Sequence, residues 1–169
     1  MNRFIIYFKR NNKIVIQDEK NERDVFTVVK NNSKFVKILN FLLLVKAPSN
    51  YQIFKDGKKL YGYKKEGSKA RIITDFQNDT EISCKKTKVD GDHAVFCEIP
   101  NSSFRLQDKY GTTGIATLND KEIGSINIQK DYSFENLDED KILMDISSEE
   151  VDLVPIISLL YLNEFYYNR

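Results

Sequence analysis

Between Leu153 and Leu162 the chain is apolar on almost every residue, with only Ser158 supplying a hydroxyl. A helix formed here has no polar face to show to water, so it must be surrounded. Asp152 is placed to cap its start, which puts Pro155 at the third helical position. The first turn's N–H groups have no intrahelical partner, so proline loses no bond there. Glu149 and Glu150 lie at the end where the helix dipole favours negative charge. The fourteen residues from Leu153 to Tyr166 span roughly 21 Å as a helix. That length suits the interior of a β-barrel built from strands of about six residues. A membrane-inserted tail competes with this reading. The run is short for it, against the ~20 residues needed to span a bilayer, and it is followed by Asn163 and Glu164.

The rest of the chain supplies the wall. Strand-like runs recur at Phe4–Phe8, Lys13–Gln17, Val25–Val29, Tyr51–Lys55, Lys58–Tyr63, Arg71–Phe76, Glu81–Thr87, Ala94–Ile99, Ser103–Gln107, Gly114–Thr117, Ile123–Gln129 and Ile142–Ile146. Asp56-Gly57 and Asp90-Gly91 stand between such runs as tight hairpin turns. A weak repeat of strand, acidic turn and strand links Ile53–Gly62 with Thr117–Ile126, but its spacing is too variable for a solenoid or propeller. The predicted fold is mainly β: a closed antiparallel barrel of about twelve short strands around an apolar C-terminal central helix, in one domain over residues 1–169.

One segment breaks the strand pattern early. Ser33 can cap a helix carrying Phe35, Ile38, Leu39 and Leu42 at helical spacing, and Pro48 stops it. An exposed apolar face on Phe35–Val45 would make the chain a protein-interaction or regulatory module. The two cysteines can be placed by arithmetic. A two-residue turn at Asp90-Gly91 sets Cys84 opposite Cys97, in the closer, non-hydrogen-bonded kind of pair. A bond between them is geometrically allowed, but in a reducing cytosol two packed thiols are expected.

The first ten residues hold an apolar run of five, shorter than the roughly 7–15 of a secretory signal. The expectation is a soluble cytoplasmic protein without a transmembrane segment. Catalytic chemistry finds little to use. The single His93 sits by a turn, no zinc spacing or Gly-x-Ser-x-Gly is present, and Gly111-Thr112-Thr113-Gly114 lacks the partners of a phosphate loop. Asp138-Glu139-Asp140 lacks the ligand alternation of a calcium loop. No catalytic residue, metal or cofactor is therefore expected. The net charge of +1 hides an asymmetry: residues 30–90 carry +8 and residues 91–169 carry −9. Tyr61 and Tyr63 among lysines would fit single-stranded nucleic acid, but a sequence pI of about 7.6 argues against a dedicated nucleic-acid domain.

Taken together, the segment Ser33–Val45, the hairpin Tyr51–Tyr63, the stretch Gly114–Gln129 and the final helix Asp152–Tyr166 resemble the tubby C-terminal-domain-like superfamily. That group includes the LURP-one-related proteins and phospholipid scramblases. The resemblance covers residues 2–167 and is nearest to small bacterial members. It implies a closed barrel threaded by a hydrophobic helix and, by analogy with tubby domains, recognition of anionic phospholipid headgroups through basic strands. No headgroup motif maps residue by residue, and the membrane segment of scramblases has no counterpart here. The basic strands offer Lys55, Lys58, Lys59, Lys64, Lys65, Lys69, Arg71, Lys85, Lys86 and Lys88 as headgroup-binding residues. The expectation is a non-enzymatic binding domain that meets an anionic membrane surface, or a protein partner near it, from the cytoplasm.

Overall fold

The computed structural model describes residues 1–9, 13–31, 50–66, 70–109, 113–129 and 141–166. The proposed helix Phe35–Val45, Lys69, Gly111-Thr112 and the acidic cluster 138–140 lie outside them.

Twelve strands form one closed antiparallel barrel: β1 (Asn2–Lys9), β2 (Lys13–Asp18), β3 (Arg23–Asn31), β4 (Asn50–Lys55), β5 (Lys58–Glu66), β6 (Ala70–Asp75), β7 (Thr80–Val89), β8 (Asp92–Ile99), β9 (Ser102–Lys109), β10 (Thr113–Leu118), β11 (Lys121–Gln129) and β12 (Lys141–Ile146). Each strand pairs with its neighbours in sequence, and β1 closes the ring by pairing with β12. Closure leaves no unpaired sheet edge. The hairpin turns are as the sequence requires. Asp56 and Gly57 have φ of 50° and 76°, and Asp90 and Gly91 have 51° and 90°. Positive φ at both central residues is what asparagine, aspartate and glycine tolerate best.

Alternation along the strands turns one apolar face inward. Ile6, Ile16, Ile53, Ile73, Leu106, Ile126 and Met144 are all essentially inaccessible to solvent. They surround the C-terminal segment. After β12 the chain makes a 3-10 turn (Ser148–Leu153), then the helix α1 (Val154–Leu160), then a π-helical turn (Tyr161–Tyr166). Every residue of α1 is buried. Its Ser158 hydroxyl donates to the Val154 carbonyl at 2.7 Å, and in the π-helical turn the Asn163 side-chain amide donates back to the Leu159 carbonyl at 2.7 Å. Because β12 runs from Lys141 to Ile146, the helix enters at the end holding Asn2 and the 56–57 turn. It runs back to leave at the opposite mouth, where β5 ends and β6 begins. There the Tyr166 ring stacks on Phe8 with centroids 4.8 Å apart.

Two glycines stand where a side chain would collide, one against the C-terminal segment and one against the neighbouring strand. A Cβ on Gly114 would meet the Tyr161 ring at 3.1 Å, and one on Gly124 would run into the Asp145 carbonyl oxygen of the adjacent strand.

The start of the helix differs from expectation. Leu153, not Asp152, is the cap residue, no side chain caps it, and Pro155 falls within the first two helical positions. The chain first coils as a 3-10 turn, broken at Glu150 (φ −115°, ψ 20°). It thus reaches the barrel axis before α-helical bonding begins, and Asp152 stays exposed.

The cysteine register is as the turn dictates, with Cys84 opposite Cys97 and Cα atoms 4.1 Å apart. The expected pair of free thiols is corrected: the two sulfurs are joined as a disulfide. Both side chains point into the core, at 0% and 2% exposure, so the non-hydrogen-bonded pairing holds the sulfurs face to face. Thiol titration of the denatured, unreduced protein should find no free group; two reactive thiols would contradict the bond. Given its sequence separation of 13, reduction should cost about 3 kcal/mol of stability.

Candidate functional site

The ten basic residues singled out by the sequence do not form one patch. Lys55, Lys58 and Lys59 gather at the 56–57 turn, at the helix-entry end. Lys59 holds its ammonium 3.7 Å from the centre of the Phe76 ring, and Lys55 lies 5.8 Å from that of Phe26. Lys65 lies seven residues along β5 from Lys58, about 23 Å at strand rise. Lys64, opposite Ile72, and Lys85, opposite Ala70 and Phe96, are on the outer face. Lys69 is outside the described residues.

The remaining four belong to the inner faces of three adjacent strands. Residues directly opposite in a ladder put their side chains on the same face. Lys65 is opposite Arg71, two residues along from buried Tyr63, and Arg71 in turn is opposite Cys84. Lys86 and Lys88 continue the face of Cys84 toward the mouth, with Lys86 opposite fully buried Val95 and Lys88 opposite His93. The chain's basic strands therefore bring Lys65, Arg71, Lys86 and Lys88 to one arc of the helix-exit mouth.

Within that arc Arg71 is not a surface residue. Its side chain is 2% exposed, as is fitting for a position that alternates with Ile73. This corrects its assignment as a direct headgroup ligand. The guanidinium is held by Glu164, which the π-helical turn carries to the wall. The Arg71 Nε donates to Glu164 Oε1 at 3.0 Å, and Nη2 donates to Oε2 at 3.2 Å. Tyr63 donates its phenol proton to Glu164 Oε1. Lys86 approaches Oε2 at 3.8 Å with 31% of its side chain exposed. A buried carboxylate is tolerable when such donors occupy its lone pairs. Burial first, and then the negative charge of Glu164, push the Tyr63 phenol above its ordinary value near 10. Tyr63 therefore remains a proton donor through the neutral range.

The cluster is thus a buried ion pair tying helix to wall, overlaid by lysines that reach solvent. Lys65 and Lys88 are exposed. Sequence reading overlooked Glu164 and Tyr63. The signal was a lone carboxylate at the end of an all-apolar helix, which demands a buried cation, and the inward alternation of Arg71 with Ile73 supplies one.

Other places carry less. An open cavity of about 550 Å³ near Arg3, Asp18, Glu19 and Asp145 is lined by groups that already satisfy one another. Arg3 bonds Asp145 at 2.7 and 3.1 Å and lies 3.9 Å from Glu19, and Asp18 accepts from the Lys20 amide and the Asn21 side chain. Among the described residues no three His, Cys, Asp or Glu side chains gather around a common point, and no helix is long and apolar enough to cross a membrane. No family model, curated protein or solved structure matches the chain.

Breaking the buried pair on one side should be costly. Glu164→Ala takes the carboxylate away from the buried Arg71 guanidinium and should lose roughly 3–5 kcal/mol in chemical denaturation. The paired change Arg71→Met with Glu164→Leu should recover much of that loss. Equal losses in both proteins would contradict the ion pair. Alkaline pH offers a separate check. A phenol whose folded value is raised contributes its full stability below its unfolded value of about 10 and loses it as pH climbs beyond. Tyr63→Phe should be less stable than wild type at neutral pH by about 1.5–3 kcal/mol, the worth of a hydrogen bond to a charged group. The gap should narrow above about pH 10; a constant gap in denaturation curves recorded up to pH 11 would refute the assignment.

Proposed function

We propose that this chain is a non-enzymatic binding domain that recognises an anionic phospholipid headgroup at the helix-exit mouth of its barrel. The reading rests on one observation: Lys65, Lys86 and Lys88 share the inner faces of β5 and β7 at a single mouth, above the buried Arg71–Glu164 pair. Clustered ammonium groups attract anionic membrane surfaces, each worth about 1 kcal/mol near the surface. The barrel interior is filled by its own helix, so recognition takes place at the rim and not inside a cavity. The sequence resemblance to tubby-like barrels points the same way. Lys55, Lys58 and Lys59 lie at the far end, and Lys64 and Lys85 point outward, so the proposed contact uses fewer residues than the sequence offered. The location that goes with this reading is a membrane surface, with peripheral attachment. The rival reading, a module docking through Phe35–Val45, concerns residues outside those described.

Vesicle flotation tests the proposal. The protein should float with phosphatidylcholine vesicles containing phosphatidylglycerol, should not float with phosphatidylcholine alone, and should be released by raised salt. Replacing Lys65, Lys86 and Lys88 together by Glu should abolish flotation, whereas the same change at Lys55, Lys58 and Lys59 should leave most of it. Flotation that is insensitive to salt, or lost equally in both triple variants, would contradict the mouth as the binding site.

A further inference from the structure

Lys86 belongs to two sites at once. From inside the barrel it lies 3.8 Å from Glu164 Oε2, a carboxylate 1% exposed; from outside, 31% of its own side chain meets solvent at the mouth. The helix residue Glu164 and an anion arriving at the mouth therefore compete for the same ammonium. The geometry points to Glu164 as an internal competitor for the bound anion. It sets the mouth's affinity through Lys86 and couples occupancy of the mouth to the seating of the helix's last turn. This inference rests on the headgroup reading and adds regulation to it.

The physical reasoning is reciprocal linkage. If an anion draws Lys86 outward, the Lys86–Glu164 attraction weakens. By the same free energy, anything that removes the Glu164 charge strengthens anion binding. Arg71 and Tyr63 remain on Glu164 throughout, so the turn loosens without being released. Its π-helical bonding, a local departure from α geometry often found at functional positions, spans Tyr161–Tyr166 and includes the glutamate. Lys86 is partly exposed, so the coupling is modest, roughly two- to five-fold in affinity.

The test is a charge-neutral exchange. Arg71→Met with Glu164→Gln removes one cation and one carboxylate, both buried, and leaves the mouth lysines and the net charge unchanged. Competition predicts that this variant binds phosphatidylglycerol-containing vesicles roughly two- to five-fold more tightly than wild type. The gain should vanish when Lys86→Met is added. Unchanged or weaker binding of the folded double variant would overturn the inference. A measurement on the unaltered protein guards against a variant that fails to fold: amide hydrogen exchange at Asn163–Phe165 should quicken by a similar factor when vesicles are added. Exchange that is unchanged or slowed while vesicles bind would overturn the coupling and leave the headgroup reading standing. Absence of any vesicle binding would remove both.

Discussion

The helix Val154–Leu160 is apolar around its whole circumference, so water opposes every arrangement that leaves any side of it uncovered. Each fully buried Leu or Ile side chain contributes about 1.5–3 kcal/mol relative to exposure, and all seven residues of α1 are buried. A flat sheet covers only one side of such a helix. A sheet closed on itself covers all of them and also removes its own edges. The twelve-strand ring, its inward Ile, Leu and Val positions, and the glycine at 114 that makes room for the Tyr161 ring all follow from that single demand.

Within an apolar interior, one ion pair stands out. The Arg71–Glu164 pair need not add net stability compared with well-packed apolar side chains, since two charges must leave water to form it. What it adds is position. Apolar packing, such as the Tyr161 ring against Gly114, opposes sliding but supplies no directional bond. A bidentate guanidinium–carboxylate contact, reinforced by the Tyr63 phenol, allows one rotation and one depth. The π-helical turn is the local adjustment that carries Glu164 to the wall. The same tie brings a buried charge next to Lys86 and so connects the core to the mouth.

Much of the architecture was legible in the sequence because it depends on short-range rules. Asp56-Gly57 and Asp90-Gly91 fix two hairpins, the second of them fixes Cys84 opposite Cys97, and strand alternation fixes which residues face inward. The site was less legible. Ten basic residues are contiguous enough in sequence to look like one patch. The face that each lysine takes depends on register, and its end of the barrel depends on strand direction; together these place Lys58 and Lys65 at opposite ends. Arg71 looks like a surface cation because arginine usually is one, and its partner lies 93 residues away on the π-helical turn. Strand arithmetic sets the two sulfurs together but does not choose between bond and thiols, because that choice depends on the surroundings as well as on geometry. The helix start was misplaced by the preference of aspartate for capping, which the 3-10 approach at Glu150 overrides.

Native-state hydrogen exchange of the Ser158–Leu162 amides tests the enclosed helix most directly. If the barrel wraps the helix on every side, these amides exchange only when the whole domain unfolds, with the same free energy and denaturant dependence as the slowest strand amides. Exchange through a low-energy local opening, with the strand amides still protected, would mean that the helix lies at the surface and that the barrel is not built around it.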